Sequence, residues 1–176
     1  WRGFMLDYIR IACAVPAVAV GNVKKNTEDI CARIAEADSK HADLLVFPEL
    51  ALTGYTCADL FFQETLLTAA VDGLQKILEC TQNHSALTVV VGLPVRIDGQ
   101  LYNCAAVIND GCLRGLVPKT YLPNHMEFSE KRWFAAASDI CDYPVHISKL
   151  GLDGDYTVCL CGDFSACIQL FEGTTV

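Results

Sequence analysis

Two charged residues of this chain stand at points where the backbone holds them. Glu49 follows the apolar run Leu44-Leu45-Val46-Phe47 and Pro48, and Lys119 follows the run Cys112 to Val117 and Pro118. A proline beside each one restricts the chain, so each head group leaves a strand-like segment in a fixed direction. A carboxylate and an ammonium presented in this way can share proton traffic, because the ammonium steadies the carboxylate and can donate to a developing oxyanion. One chemistry that could use both is hydrolysis of an amide by a cysteine thiolate. It needs a base to form the thiolate, an acid for the leaving amine and donors for the tetrahedral oxygen. A structural salt bridge between strand ends would use the same pair and perform no chemistry.

The chain holds ten cysteines, the residue type such a nucleophile requires. Most lie inside apolar runs (Cys13, Cys104, Cys112) or on a helical face (Cys31, Cys80), which predicts buried free thiols in a reducing, cytoplasmic setting rather than a disulfide framework. The close pair Cys159-Leu160-Cys161 lacks a second pair or histidines at zinc-site spacing, so no metal is expected. The net charge of −8 and the scattered basic residues exclude a phosphate-tracking groove, and with it a nucleic-acid partner. No apolar run approaches the roughly 18 to 20 residues of a membrane span.

The elements that must position Glu49 and Lys119 can be read in order. The length of 176 residues fits one domain, residues 1–176, with a sizeable core. Tyr8 to Val20 alternates as a first strand (Ile9, Ile11, Cys13, Val15) that Pro16 bends or ends. Asn26 or Thr27 is positioned to cap a helix whose Ile30, Ile34 and Ala37 share a face and which runs to about Ser39. Leu44 to Phe47 is a short buried strand that delivers Glu49. A segment beginning at Asp59 carries the wide helical stripe Leu66, Leu67, Ala70, Val71, Leu74, Ile77 and Leu78. Leu87 to Leu93 is a strand ending at Gly92 and Pro94. Asp98-Gly99 and Asn109-Asp110-Gly111 then turn it into two hairpin-linked strands, Tyr102 to Ile108 and Cys112 to Val117. Glu127 to Trp133 reads as a short helix, and Tyr143 to Ile147, Tyr156 to Leu160 and Cys167 to Phe171 as three further strands. The order predicts an α/β fold with a mixed sheet and helices on at least one face.

Phe47-Pro48-Glu49-Leu50 with Thr53-Gly54-Tyr55, followed by Pro118-Lys119-Thr120-Tyr121-Leu122-Pro123, resembles the glutamate and lysine motifs of the nitrilase, or carbon-nitrogen hydrolase, superfamily. Arg10-Ile11-Ala12, Ala58-Asp59-Leu60, Tyr102-Asn103 and Glu127-Phe128-Ser129-Glu130-Lys131-Arg132 resemble one branch of it, the glutaminase domains of glutamine-dependent NAD synthetases. The resemblance implies a four-layer α-β-β-α sandwich with mixed sheets and a Glu-Lys-Cys triad. Glu49 would be the general base and Lys119 the stabiliser of the tetrahedral intermediate. Glu130 would orient the lysine or contact substrate, unless it is a solvated charge on a short helix. Tyr55 would line the approach to Glu49. His125 stands where the family has a glutamine-contacting tyrosine.

Nothing in the chain spells the Glu-Ile-Cys-Glu-Asp type of nucleophile motif. Phe171 to Val176 resembles the start of the strand leading into it, so the resemblance implies a domain incomplete at its C-terminus. Cys161, followed by Gly162-Asp163-Phe164, is the competing nucleophile. The implied partners are glutamine, an NAD synthetase domain that accepts the ammonia, and further copies of the chain in an oligomer. The amidase chemistry needs no cofactor, and ATP and Mg²⁺ would belong to the synthetase domain. The alternatives are an amidase or carbamoylase using Cys161, and a catalytically inactive assembly module.

Overall fold

The structure, a computed structural model, describes residues 8–140 and 143–160. Among the described residues seven strands form one mixed sheet in the order β1-β2-β3-β4-β5-β7-β6. These are β1 (Ile11–Cys13), β2 (Leu44–Val46), β3 (Thr88–Ile97), β4 (Gln100–Asn109), β5 (Cys112–Pro118), β6 (Tyr143–His146) and β7 (Thr157–Leu160). Two helices, α1 (Val23–Ser39) and α2 (Glu64–Thr81), join the first three strands by crossovers, so β1, β2 and β3 run parallel. The two predicted hairpins follow: β3 pairs antiparallel with β4, and β4 with β5. Both turns place an aspartate and then a glycine in the left-handed region (Asp98 and Gly99, Asp110 and Gly111), the conformation that suits a twisted hairpin. The predicted strand Cys167 to Phe171 lies outside the described residues.

Helices and sheet share a core because alternate strand residues face one side. Leu45, Val89, Val91, Leu93, Ala106 and Ile108 pack beneath Ile30 and Ile34 of α1 and Ala70, Leu74 and Ile77 of α2. The opposite side of the sheet is apolar too, with Val90 and Val107 buried among Leu44, Val46, Ala105 and Val117. A sheet apolar on both faces suits burial between layers. The α/β class with a mixed sheet is therefore as the resemblance implied, and the described residues make one helical layer and one sheet layer of it.

Several expectations change. The α1 cap is Asn22, whose side chain accepts from the Lys25 amide at 3.2 Å. Asn26 and Thr27 lie inside the helix and are buried, because the core begins one turn earlier, at Val23. Asp59 belongs to a separate 3-10 turn, Tyr55–Phe62, interrupted at Ala58, and α2 starts only after the extended Gln63. Strand β3 runs through Pro94 to Ile97: β2 pairs with it only as far as Val90, so the missing amide of Pro94 breaks no ladder there. In β1, Ile11 and Cys13 are exposed and Ala12 packs inward, so the apolar alternation belongs to the face away from the helices. The segment Glu127 to Trp133 supplies only the 3-10 turn Glu130–Arg132.

Candidate active site

Glu49 sits in a turn that its neighbours tie down on every side. Phe47 donates its amide to the Val90 carbonyl at 2.9 Å, and Leu52 to that of Gly92 at 3.2 Å, so the turn lies across β3. Inside it, Leu50 adopts φ +51° while its carbonyl accepts the amides of Thr53 (3.1 Å) and Gly54 (2.7 Å). A left-handed, fully buried leucine is a sparsely populated conformation that its surroundings must enforce. Asn26 supplies part of that enforcement. Its amide nitrogen donates to Ala19 O (2.9 Å) and Leu52 O (3.0 Å), and its oxygen accepts from Ala19 N (2.8 Å).

Gly92 lets the turn approach the sheet. A Cβ there would stand 2.4 Å from the Leu50 nitrogen and 2.7 Å from the Pro48 oxygen. No side chain fits that gap.

Lys119 leaves the end of β5 pinned through both of its backbone groups. Its amide donates to the Asn103 carbonyl at 2.8 Å, and its carbonyl accepts from Ala137 at 3.0 Å. From there the ammonium spans two carboxylates, reaching Oε1 of Glu49 at 2.7 Å and Oε1 of Glu130 at 2.9 Å. The two differ in environment: the Glu49 side chain is 41% exposed and that of Glu130 only 2%. Burial alone would lower the affinity of Lys119 for its proton. Hydrogen bonds to Glu130 and Glu49 and their negative charges outweigh it, so Lys119 is held above the ordinary lysine value and stays charged.

Glu130 opens the 3-10 turn Glu130–Arg132, with its amide on the Pro123 carbonyl. Its Oε1 also accepts the Tyr55 hydroxyl at 2.6 Å, while its Oε2 is buried without a partner among the described residues. Tyr55 follows Gly54 (φ +91°) and packs edge-on against Phe128, with ring centroids 6.4 Å apart. Burial, then the bond to Glu130, pushes its phenol well above the ordinary tyrosine range. The solvated-charge reading of Glu130 is thus overturned, since a carboxylate this buried is stable only with the Lys119 and Tyr55 donors.

A second clamp joins the Tyr55 turn to the Glu130 turn. Asp59 accepts from Arg132 Nε (2.7 Å) and Nη2 (2.8 Å) and from the Trp133 indole (3.0 Å). The guanidinium bonds, then the indole, hold the Asp59 carboxyl well below the usual carboxylate range. His125 is exposed and stands apart from the cluster. Its ring tilts against Phe128 at 6.0 Å, and its side chain makes no hydrogen bond among the described residues.

Beside Glu49 and Lys119 a cleft of about 620 Å³ runs over the apolar sheet face, along Val46, Val90, Ala105 and Val117. Cys104 is next to Asn103 in β4, yet alternation turns its thiol into the helix-side core, where burial pushes it far up. Burial likewise raises the thiols of Cys57 and Cys31, the latter, beside Cys80, to about 12. These three make poor thiolates. Cys161 lies outside the described residues, and no cluster of metal-binding side chains occurs among those described.

Glu49, Lys119, Glu130 and Tyr55, four of the five residues singled out in the sequence, therefore meet in one cluster, and His125 does not reach it. Asn103 was missed as part of the site. It is buried and donates its amide to Glu49 Oε1 at 2.5 Å. A single amide side chain within the apolar run Tyr102 to Ile108 was the available signal.

A family model described as carbon-nitrogen hydrolase matches residues 10–159. A glutamine-dependent NAD(+) synthetase of Mycobacterium tuberculosis is 36% identical over 136 residues, which cover 77% of this chain and 20% of that protein. The crystal structure of a glutamine-dependent NAD(+) synthetase from Cytophaga hutchinsonii superposes with a TM-score of 0.75 at 29% identity, covering 87% of this chain and 25% of that one. An amidase from Nesterenkonia sp. has the same fold at a TM-score of 0.65 and 19% identity, over 90% of this chain and 57% of its own. The chain spans between 20% and 26% of the length of the curated relatives it matches. No helix among the described residues is long and apolar enough to cross a membrane.

Proposed function

Because the chain belongs to the carbon-nitrogen hydrolase family, we propose that it is the glutamine amidohydrolase part of a glutamine-dependent NAD synthetase, releasing ammonia from glutamine for a synthetase domain. The observation that carries this reading is the Lys119 ammonium held between a half-open carboxylate, Glu49, and a buried one, Glu130. In the proposed reaction Glu49 takes the proton of a cysteine thiol, and the thiolate attacks the side-chain amide carbon of glutamine. Lys119 faces the oxygen that becomes negative. As the carbon–nitrogen bond breaks, Glu49 returns the proton to the leaving nitrogen, which departs as ammonia and leaves a thioester. Water, deprotonated by the same carboxylate, then attacks the thioester and frees glutamate and thiol.

Glu130 holds the lysine between its two partners, and Tyr55 steadies Glu130 while lining the approach. His125 contacts the outer part of the glutamine. Burial speaks against Cys31, Cys57 and Cys104 as the nucleophile, and Cys161 is one candidate. None of these steps calls for a metal or organic cofactor, and ATP and Mg²⁺ would serve the synthetase reaction. The relatives' names support glutamine and NAD synthesis as the context, and an oligomeric, cytoplasmic protein is part of the proposal.

The test uses the intact natural polypeptide. Ammonia release from glutamine is expected, with one cysteine labelled by a glutamine-analogue electrophile and protected by glutamine. Both should vanish in Glu49→Gln. A protein that releases no ammonia and presents no protectable cysteine is an assembly module, and the proposal is then wrong.

A further inference from the structure

Asn103 lies on β4, which with β3 separates β2, the strand leading into the Glu49 turn, from β5, the strand leading to Lys119. On one side of β4 is β3, against which the Glu49 turn packs at Gly92; on the other is β5, which ends at Pro118. Asn103 is 3% exposed and is the only amide side chain between Leu101 and Ile108 of the strand. Its backbone carbonyl accepts the Lys119 amide at 2.8 Å, and its side-chain amide donates to Glu49 Oε1 at 2.5 Å. Lys119 Nζ donates to the same oxygen at 2.7 Å. Two donors thus converge on Oε1, and Oε2 of Glu49 accepts no hydrogen bond among the described residues.

We infer that Asn103 is a positioning residue that fixes which oxygen of Glu49 moves the proton, occupying Oε1 jointly with Lys119 and leaving Oε2 open to the thiol and the leaving nitrogen. The inference rests on the reading of Glu49 as general base. A free carboxylate exchanges its two oxygens by rotating about its last bond, and a base whose proton-accepting oxygen is undefined spends less time in the reactive geometry. The side chain does this without touching substrate. Being neutral, the amide orients the carboxylate without competing with Lys119 for charge, and its backbone sets the lysine by the same rigid strand.

The experiment compares Asn103→Ala and Asn103→Asp in the intact natural polypeptide, measuring kcat and KM for glutamine well below each variant's melting temperature. A positioning role predicts that the near-isosteric aspartate is worse than alanine, because it has no donor and sets a second negative charge against Glu49. The expected losses in kcat are about tenfold or more for alanine and about a hundredfold or more for aspartate, with KM changed by less than about threefold. A residue that merely fills space predicts the reverse order, and aspartate within about threefold of wild type in kcat would overturn the inference. A crystal structure of Asn103→Ala decides the matter independently of activity. Departure of the Glu49 carboxylate from its contact with Lys119 supports the role, and an unmoved carboxylate refutes it. If the wild-type polypeptide releases no ammonia, the proposed function fails, and this structural readout still judges Asn103.

Discussion

Replacing Gly92 by alanine tests whether the position of Glu49 is set by its turn lying directly on the sheet. Gly92 does not use the left-handed region, so alanine is acceptable to the backbone and the effect of the substitution is steric. The added Cβ would lie 2.4 Å from the Leu50 nitrogen, 2.7 Å from the Pro48 oxygen and 2.9 Å from the Glu49 carbonyl carbon, all backbone atoms that no side-chain rotation can remove. Restoring ordinary contact requires the turn to lift by about 1 Å. Overpacking of this kind costs about 1 to 3 kcal/mol, which for a domain of this size lowers the melting temperature by about 2 to 12 °C. The catalytic effect is larger, because a displacement of about 1 Å at a reacting group costs on the order of a hundredfold in rate. Glu49 would move while Lys119, on β5, stays. The assay is steady-state ammonia release from glutamine by the intact natural polypeptide at 25 °C, with calorimetric melting of the same sample. A variant that melts lower but retains kcat within about threefold of wild type would show that the height of the turn does not position the base.

Two further perturbations probe the same set of contacts. Asn26→Ala removes three hydrogen bonds that join the loop at Ala19 to Leu52 of the Glu49 turn. At about 1 kcal/mol each it should cost about 3 kcal/mol, read as a fall of about 6 to 12 °C in calorimetric melting, and an unchanged melting temperature would show that this tie holds nothing in place. Tyr55 and Lys119 both have their proton affinities raised on folding. Each therefore contributes stability that is complete below its unfolded value, near pH 10 to 10.4, and is lost as the pH rises through the folded value. Denaturant midpoints should decline above about pH 10, and Tyr55→Phe should flatten the decline. An equally steep decline in that variant would contradict the Tyr55–Glu130 bond.

The sequence made legible what depends on periodicity and on turn chemistry. Apolar, β-rich runs marked β3 and β4, and Asp98-Gly99 and Asp110-Gly111 marked their turns, because few residues adopt those left-handed conformations. Glu49 and Lys119 were visible as charges at the ends of apolar runs. What could not be read were side chains whose role lies in a distant partner. Asn26 looked like a cap because asparagine serves well in either place, and only its contact with Leu52, 26 residues away, reveals the tie. Asp59 and Arg132 stood in two separate motifs of the resemblance, and their pairing across 73 residues shows only once the fold sets their turns side by side. Pro94 looked like a strand end because one sequence does not say on which side a strand is unpaired.

The cluster also explains why neutral donors matter as much as charged ones here. Two carboxylates and one ammonium leave a local charge of −1, so Lys119 alone cannot balance both glutamates. Two neutral side chains make up the shortfall in donors. Tyr55 gives Glu130 a second donor and Asn103 gives Glu49 one, each meeting the lysine at the same oxygen. Replacing either neutral donor by another cation would balance the formal charge of the resting site. With neutral donors, a thiol proton passed to Oε2 of Glu49 brings the three-group cluster to zero charge, while Lys119 stays charged and available to the substrate oxygen. Under the proposed reaction, the formal charge of −1 is therefore carried onto the thiolate by the first proton transfer. The amide of Asn103 and the hydroxyl of Tyr55 preserve that charge while keeping both carboxylates in place.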